Sequence, residues 1–200
     1  MTITGDFRAL AGQTPARVLA KAAISLLAVM LAAFFSREGA VLAILIIFTG
    51  VTGPTIRLVT MKIDGTFDRI IVSPVAKPLF FLRFAGLWVI AVILPLIPAV
   101  TVVAILRGPV IIVPVVLGTI LAATLGTLAG FTAHGLSDAH LVALLMAGIL
   151  IPLSIIRTPA AVFLPYAALS IFPAEPVGLV MSAILTAAAL VLLASAVSRS

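Results

Sequence analysis

Six long apolar runs, separated by short turns that hold nearly all of the charge, constrain this chain more than any motif in it. They cover residues 18–35, 40–59, 84–106, 110–133, 141–156 and 177–197. Each matches or approaches the roughly 20 residues that a helix needs to cross a hydrocarbon core of about 30 Å. None alternates apolar and polar residues with the period of two expected of a membrane barrel strand. Helices are the other structure that satisfies every backbone N–H and C=O inside lipid. Composition agrees: 9% of the 200 residues are charged, against about 25% in soluble domains. A mean hydropathy of +1.40 in 20.6 kDa is more apolar surface than a globule of that size can bury. The expectation is an all-α membrane protein whose six transmembrane helices occupy residues 18–197.

Lys and Arg orient such helices, because cytoplasmic loops carry the excess. With the N-terminus inside, the inner segments hold Arg8, Arg17, Lys21, Arg57, Lys62, Arg69, Lys77, Arg83 and Arg199, and the outer ones only Arg37, Arg107 and Arg157. Nine against three places both termini and the 60–78 loop in the cytoplasm, with residues 1–17 as a cytoplasmic segment and a multi-pass location in the cell membrane. The net charge of +6 is thus loop charge that orients helices, and no nucleic-acid partner is expected. The first residues are charged and have no apolar core of their own, so no cleavable signal is expected and the first span stays as an anchor.

Four small residues, Gly118, Ala122, Gly126 and Gly130, recur every fourth position along the fourth span. Such stripes let helix backbones approach closely in lipid, where packing drives association. Pro54, Pro95, Pro98 and Pro152 fall inside spans and should kink or locally unwind them. Thr49, Gly50, Thr52, Gly53 and Thr55 make half of the second span polar, suiting a helix that faces another helix or a water-lined path.

Catalytic patterns are missing. The chain has no cysteine. No Lys follows Gly, so the phosphate-cradling Walker loop is absent and ATP hydrolysis is not expected here. His134 and His140 stand six apart beside Asp138 and lack the further donors of a zinc site. No Gly-x-Ser-x-Gly occurs. The run Asp64-Gly65-Thr66-Phe67-Asp68-Arg69 faintly resembles the aspartate motif of CDP-alcohol phosphatidyltransferases. However, Met61, Pro78, Leu82 and Gly86 stand where that motif requires Asp, Gly, Asp and Asp. No catalytic, metal or cofactor residue is expected.

The charged loop reads as a short helix. Asp64 can cap it, Phe67, Ile70 and Ile71 share one face at i, i+3 and i+4, and Ser73-Pro74 ends it. That helix either lies in the headgroups or sets its apolar face into a partner's groove.

The stretch from Gly65 to Val75, Gly-Thr-Phe-Asp-Arg-Ile-Ile-Val-Ser-Pro-Val, resembles the Gly-Thr-Leu-Glu-x-Leu-Leu-x-Ser/Thr-Pro stretch of type-2 ATP-binding-cassette (ABC) transporter permeases. There it also lies between the second and third helices, as the coupling helix that plugs into the ATPase. The resemblance implies six spans with an N-terminal interfacial helix and broken outer helices in the proline-rich segment 157–176. It further implies a short cytoplasmic coupling helix formed by Asp64, Gly65, Thr66, Phe67, Asp68, Arg69, Ile70, Ile71, Ser73 and Pro74. It implies an exporter whose partners are an ABC nucleotide-binding ATPase subunit, which holds ATP and Mg, a second permease copy or homologue, and membrane lipids. The chain departs from the pattern before Gly65, where Met61-Lys62-Ile63-Asp64 leaves one acid. Its size and loop pattern also resemble the heme-exporter permease of cytochrome c maturation. A six-helix membrane enzyme or scaffold is the alternative from another class.

Reporter fusions after Ser200 and within residues 60–78 should both give cytoplasmic signals. An external signal from either would reverse the topology.

Overall fold

Thr14 opens the first span: its Oγ1 accepts from the Arg17 backbone N–H at 3.4 Å, and Pro15 takes the first helical position, where its missing N–H is no loss. The computed structural model describes residues 14–67, 77–155, 164–170 and 176–198. They form α1 (Pro15–Ala33), α2 (Glu38–Ile63), α3 (Lys77–Arg107), a 3-10 turn (Pro109–Ile111), α4 (Ile112–Thr132), α5 (Leu136–Ile155), the short α6 (Pro165–Ser170) and α7 (Pro176–Ser198). α1 to α5 and α7 are the six helices long and apolar enough to cross a membrane, and no strand occurs among the described residues. The chain is an all-α, multi-pass membrane protein. Residues 1–13, the coupling stretch from Asp68 to Pro74 and most of the proline-rich segment lie outside the described residues.

Element ends differ from the expected ones by a few residues, most at the starts. α1, α2, α3 and α5 begin two to seven residues before the apolar runs. α5 takes in Asp138 and His140, which lie between the apolar runs 110–133 and 141–156. The 26 residues of α2 and 31 of α3 extend about 39 and 46 Å, past a hydrocarbon core of about 30 Å. Gly108 turns α3 into α4 with φ of +93°, a conformation that favours glycine.

α2 and α4 form the centre. They bury 50% and 61% of their spanning windows, whereas α1 buries 11%. The pair is close because α4 offers glycine where α2 offers backbone. A Cβ on Gly126 would lie 2.5 Å from Val51 O and 2.8 Å from Gly50 O; one on Gly130 would lie 2.9 Å from Thr55 O. Pro54 contributes twice. Its ring packs beside Gly126, and its missing N–H frees the Gly50 carbonyl four residues back. The α-hydrogen of Gly126 that replaces a side chain points toward the Val51 carbonyl and this freed one, weak C–H···O contacts of a kind recurrent between close helices. The Thr55 hydroxyl sits 2.6 Å from Val51 O and 2.8 Å from Gly126 O and can donate to either. At Ala122 the seam meets Gly50, and at Gly118 it leaves α2 and receives the ring of Tyr166 from α6.

Gly126→Ala should lower stability by about 1–3 kcal/mol, the usual cost of overpacking, and Gly126→Leu should prevent the bundle from assembling. Gly148, whose Cβ would meet nothing within 4 Å, should accept Ala without loss. Reversible unfolding in mixed detergent measures both, and equal responses at the two positions would remove the seam from the account.

Candidate functional site

The residues singled out in the sequence fall at two places. The stripe Gly118, Ala122, Gly126 and Gly130 is the seam just described. The first part of the coupling stretch, Asp64 to Phe67, is the root of the charged loop. The sequence builds that root tightly. α2 ends at Ile63 with Asp64 at its C-cap, and Gly65 follows with φ of +71°, in the left-handed region glycine prefers. The Asp64 carboxylate then accepts from the Thr66 backbone N–H at 3.1 Å and restarts the chain in a helical direction. Hydrogen bonds from the Thr66 hydroxyl and N–H hold the Asp64 carboxyl below the usual carboxylate range. This local contribution is therefore present above the ordinary carboxylate pKa and fades as pH falls through the lowered one.

Phe67 departs from its expected role. On the apolar face expected to meet headgroups or a partner's groove, it is only 7% exposed and packs within its own chain. Its ring meets Phe81 edge-on at 6.0 Å, and Phe81 meets Phe131 at 5.3 Å. Phe80, Phe84 and Trp88 continue this aromatic file along α3. The Phe67 ring is taken by Phe81 of α3, within its own chain. Asp68, Arg69, Ile70, Ile71, Ser73 and Pro74 lie beyond the described residues.

Lys62 completes the root. Its Nζ donates to Phe131 O at 2.6 Å and to Ala133 O at 2.9 Å, and stands 5.7 Å from the ring centres of both Phe67 and Phe131. The last carbonyls of a helix lack intrahelical donors and carry the negative end of its dipole, so an ammonium is favoured there. One side chain thus joins the end of α2 to the end of α4 and to the loop.

The opposite end of α2 carries a second charged joint, which sequence reasoning missed. Glu38, expected in a turn, is the first residue of α2, 6% exposed, and accepts from Arg107 Nε at 2.6 Å. Arg107 Nη1 also donates to Leu169 O of α6 at 2.9 Å. Tyr166 was missed as well: fully buried, it donates its hydroxyl to Gly118 O at 2.7 Å. Buried Tyr hydroxyls need partners, and an ionisable pair at the rim of a membrane bundle needs its counter-ion. Those rules identify the candidates but not the pairing.

A cleft of about 310 Å³ opens between α1, α2 and α3, and Lys21, Ser25, Thr49, Thr52 and Trp88 stand among its apolar walls. Thus Thr49 and Thr52 of the polar half of α2 line the cleft, while Thr55 and Gly50 face α4. Among the described residues, no three His, Cys, Asp or Glu side chains come together as a metal centre would need. The geometry offers a charged, aromatic loop root at one end and an amphipathic cleft on the flank.

Phe67→Ala should cost about 3 kcal/mol, the lower end for removing a buried Phe, in the unfolding of the isolated chain with no partner present. An unchanged midpoint would return Phe67 to an outward-facing role. Comparison with protein-family models, with curated proteins and with solved structures finds no match to this chain.

Proposed function

We propose that this chain is the membrane-spanning permease subunit of an ABC exporter, paired with a second permease and driven by a separate nucleotide-binding ATPase. The observation that carries the reading is the Gly65–Val75 stretch between the second and third spans. Three features support it. Alternation of the six spans puts this loop and both ends of the helical region at one face of the bundle, and the Lys and Arg bias makes that face cytoplasmic. α2 and α3 are longer than the bilayer needs, so they carry the loop clear of the hydrocarbon. The loop root is bonded through Lys62 and Phe67 to α3 and α4, so a force on the loop reaches the central helices instead of dissipating in a flexible link. Outer segments with few charges favour an apolar or amphipathic cargo over a sugar polymer.

With Phe67 turned inward, the docking face consists of Ile70 and Ile71. Partner identity is testable by purifying the tagged chain from its native membrane and identifying co-purifying proteins. An ATPase with a Walker motif in stoichiometric amount is expected, and its absence would overturn the proposal. Ile70→Ala with Ile71→Ala should weaken that association about tenfold to a hundredfold, from roughly 1.5–3 kcal/mol of half-buried apolar contact. The spans should still insert. Full binding and full ATPase coupling in the double variant would remove the loop from the interface.

A further inference from the structure

The cleft between α1, α2 and α3 is graded along its length. The Ser25 hydroxyl lies 3.2 Å from Pro95 O, which sets α1 against α3. The ring of Trp88 lies against Gly53, which sets α2 against α3. In that register Lys21, one turn before Ser25, stands with Thr52 and Trp88 toward the loop end of the bundle. Leu45 and Leu96 close the deeper end. One end therefore carries a cation, while at the other Leu45 and Leu96 are accompanied by a Ser25 hydroxyl that faces backbone carbonyls.

The mouth faces sideways. Ile24 and Phe48 line the cleft, yet they are 66% and 48% exposed, so in a bilayer the opening is bordered by acyl chains. An occupant enters from the lipid. Its head group is constrained by charge. Thr49 and Thr52 give their hydroxyl hydrogens to Leu45 O and Phe48 O at 2.5 and 2.6 Å, so they offer the cleft only acceptor lone pairs. Lys21 is the cationic donor, standing one turn deeper in α1 than Arg17, and no carboxylate among the described residues pairs with it. A cation at that depth either snorkels to the surface or takes an anion from its surroundings. The volume of about 310 Å³ sits at the lower end of small-molecule sites, roughly 300–1,000 Å³. It suits one chain of a lipid, not the whole molecule.

We propose that this cleft binds an anionic phospholipid of the bilayer, with one acyl chain lying between Leu45 and Leu96 and the phosphate paired with Lys21. The site does not depend on the exporter reading, and the isolated chain suffices to test it.

Trp88 is the only tryptophan in the chain and forms part of the cleft wall, so its fluorescence reports occupancy. The purified full chain is reconstituted in phosphatidylcholine bilayers containing increasing fractions of phosphatidylglycerol or phosphatidylcholine with brominated acyl chains, which quench an indole on contact. Brominated phosphatidylglycerol should reach half-maximal quenching at about fivefold lower mole fraction than brominated phosphatidylcholine, the scale of one Lys–anion attraction at a membrane surface. Lys21→Gln should erase the difference, and Lys21→Arg should keep it. Thr49→Leu, which narrows the cleft, should reduce quenching by both lipids. Equal half-points in the unmodified chain, or a preference that survives Lys21→Gln, would overturn the head-group assignment. Quenching unaffected by Thr49→Leu would place the chain elsewhere and overturn the site.

Discussion

The close approach of α4 to α2 is the contact from which the arrangement of the other helices follows. In lipid an apolar side chain gains little by leaving hydrocarbon for protein, so helices hold together where backbones come near enough for many short contacts. Gly126 and Gly130 remove the side chains that would keep α4 away, and Pro54 and Thr55 give α2 a surface that exploits the gap. The joint is specific because it depends on individual atoms: a freed carbonyl, a hydroxyl shared between two helices and a proline ring. α3, α5 and α7 then pack around the pair, and α6 enters where the seam leaves α2, with Tyr166 against Gly118.

Both ends of α2 are pinned by charge. Lys62 holds the loop end to the last carbonyls of α4, and Glu38 holds the other end to Arg107, which in turn holds α6. Each joint is a charge-assisted hydrogen bond, shorter and stronger than a neutral one, and each spans helices that the seam already positions. α2 is therefore a strut with fixed ends and a close bearing at its middle. A load applied at Asp64–Phe67 would meet bonded contacts at both ends of α2, Arg107 and α6 among them. In the exporter reading, this is the route by which work done on the cytoplasmic loop reaches the outer face.

Much of this was legible in the sequence, because the bilayer imposes it. Charge-poor apolar runs of a given length have few other uses, so the six spans were readable. Their ends were not: Lys77 and Arg83 bracket a short apolar run behind Pro78, and the packing of Phe80, Phe81 and Phe84 accompanies the continuation of α3 through it. The small-residue stripe announced a close approach without naming its partner, since glycine records the absence of a side chain and not who fills the space. Phe67 shows the complementary limit. Its position at i with Ile70 and Ile71 at i+3 and i+4 suggests an apolar face, and Phe81 of α3 takes the Phe67 ring as well as a second protein would. Glu38 and Arg107 are 69 residues apart, and no local pattern joins them.

α1 fits the frame least tightly, and that looseness has a physical reading. It buries only 11% of its span and meets α2 and α3 on one side, with the cleft lying between them along part of that contact. Between the three helices lies a slot of about 310 Å³ with Lys21 among its walls. A lipid chain in that slot would extend the packing of α1 against α2 and α3, and its phosphate would neutralise the cation that otherwise has to reach past Arg17 to the surface. The same side chain that makes α1 costly to hold in hydrocarbon makes its seat selective for an anion. The position of α1 then depends on the composition of the membrane, while the α2–α4 seam, closed by groups of the chain itself, does not.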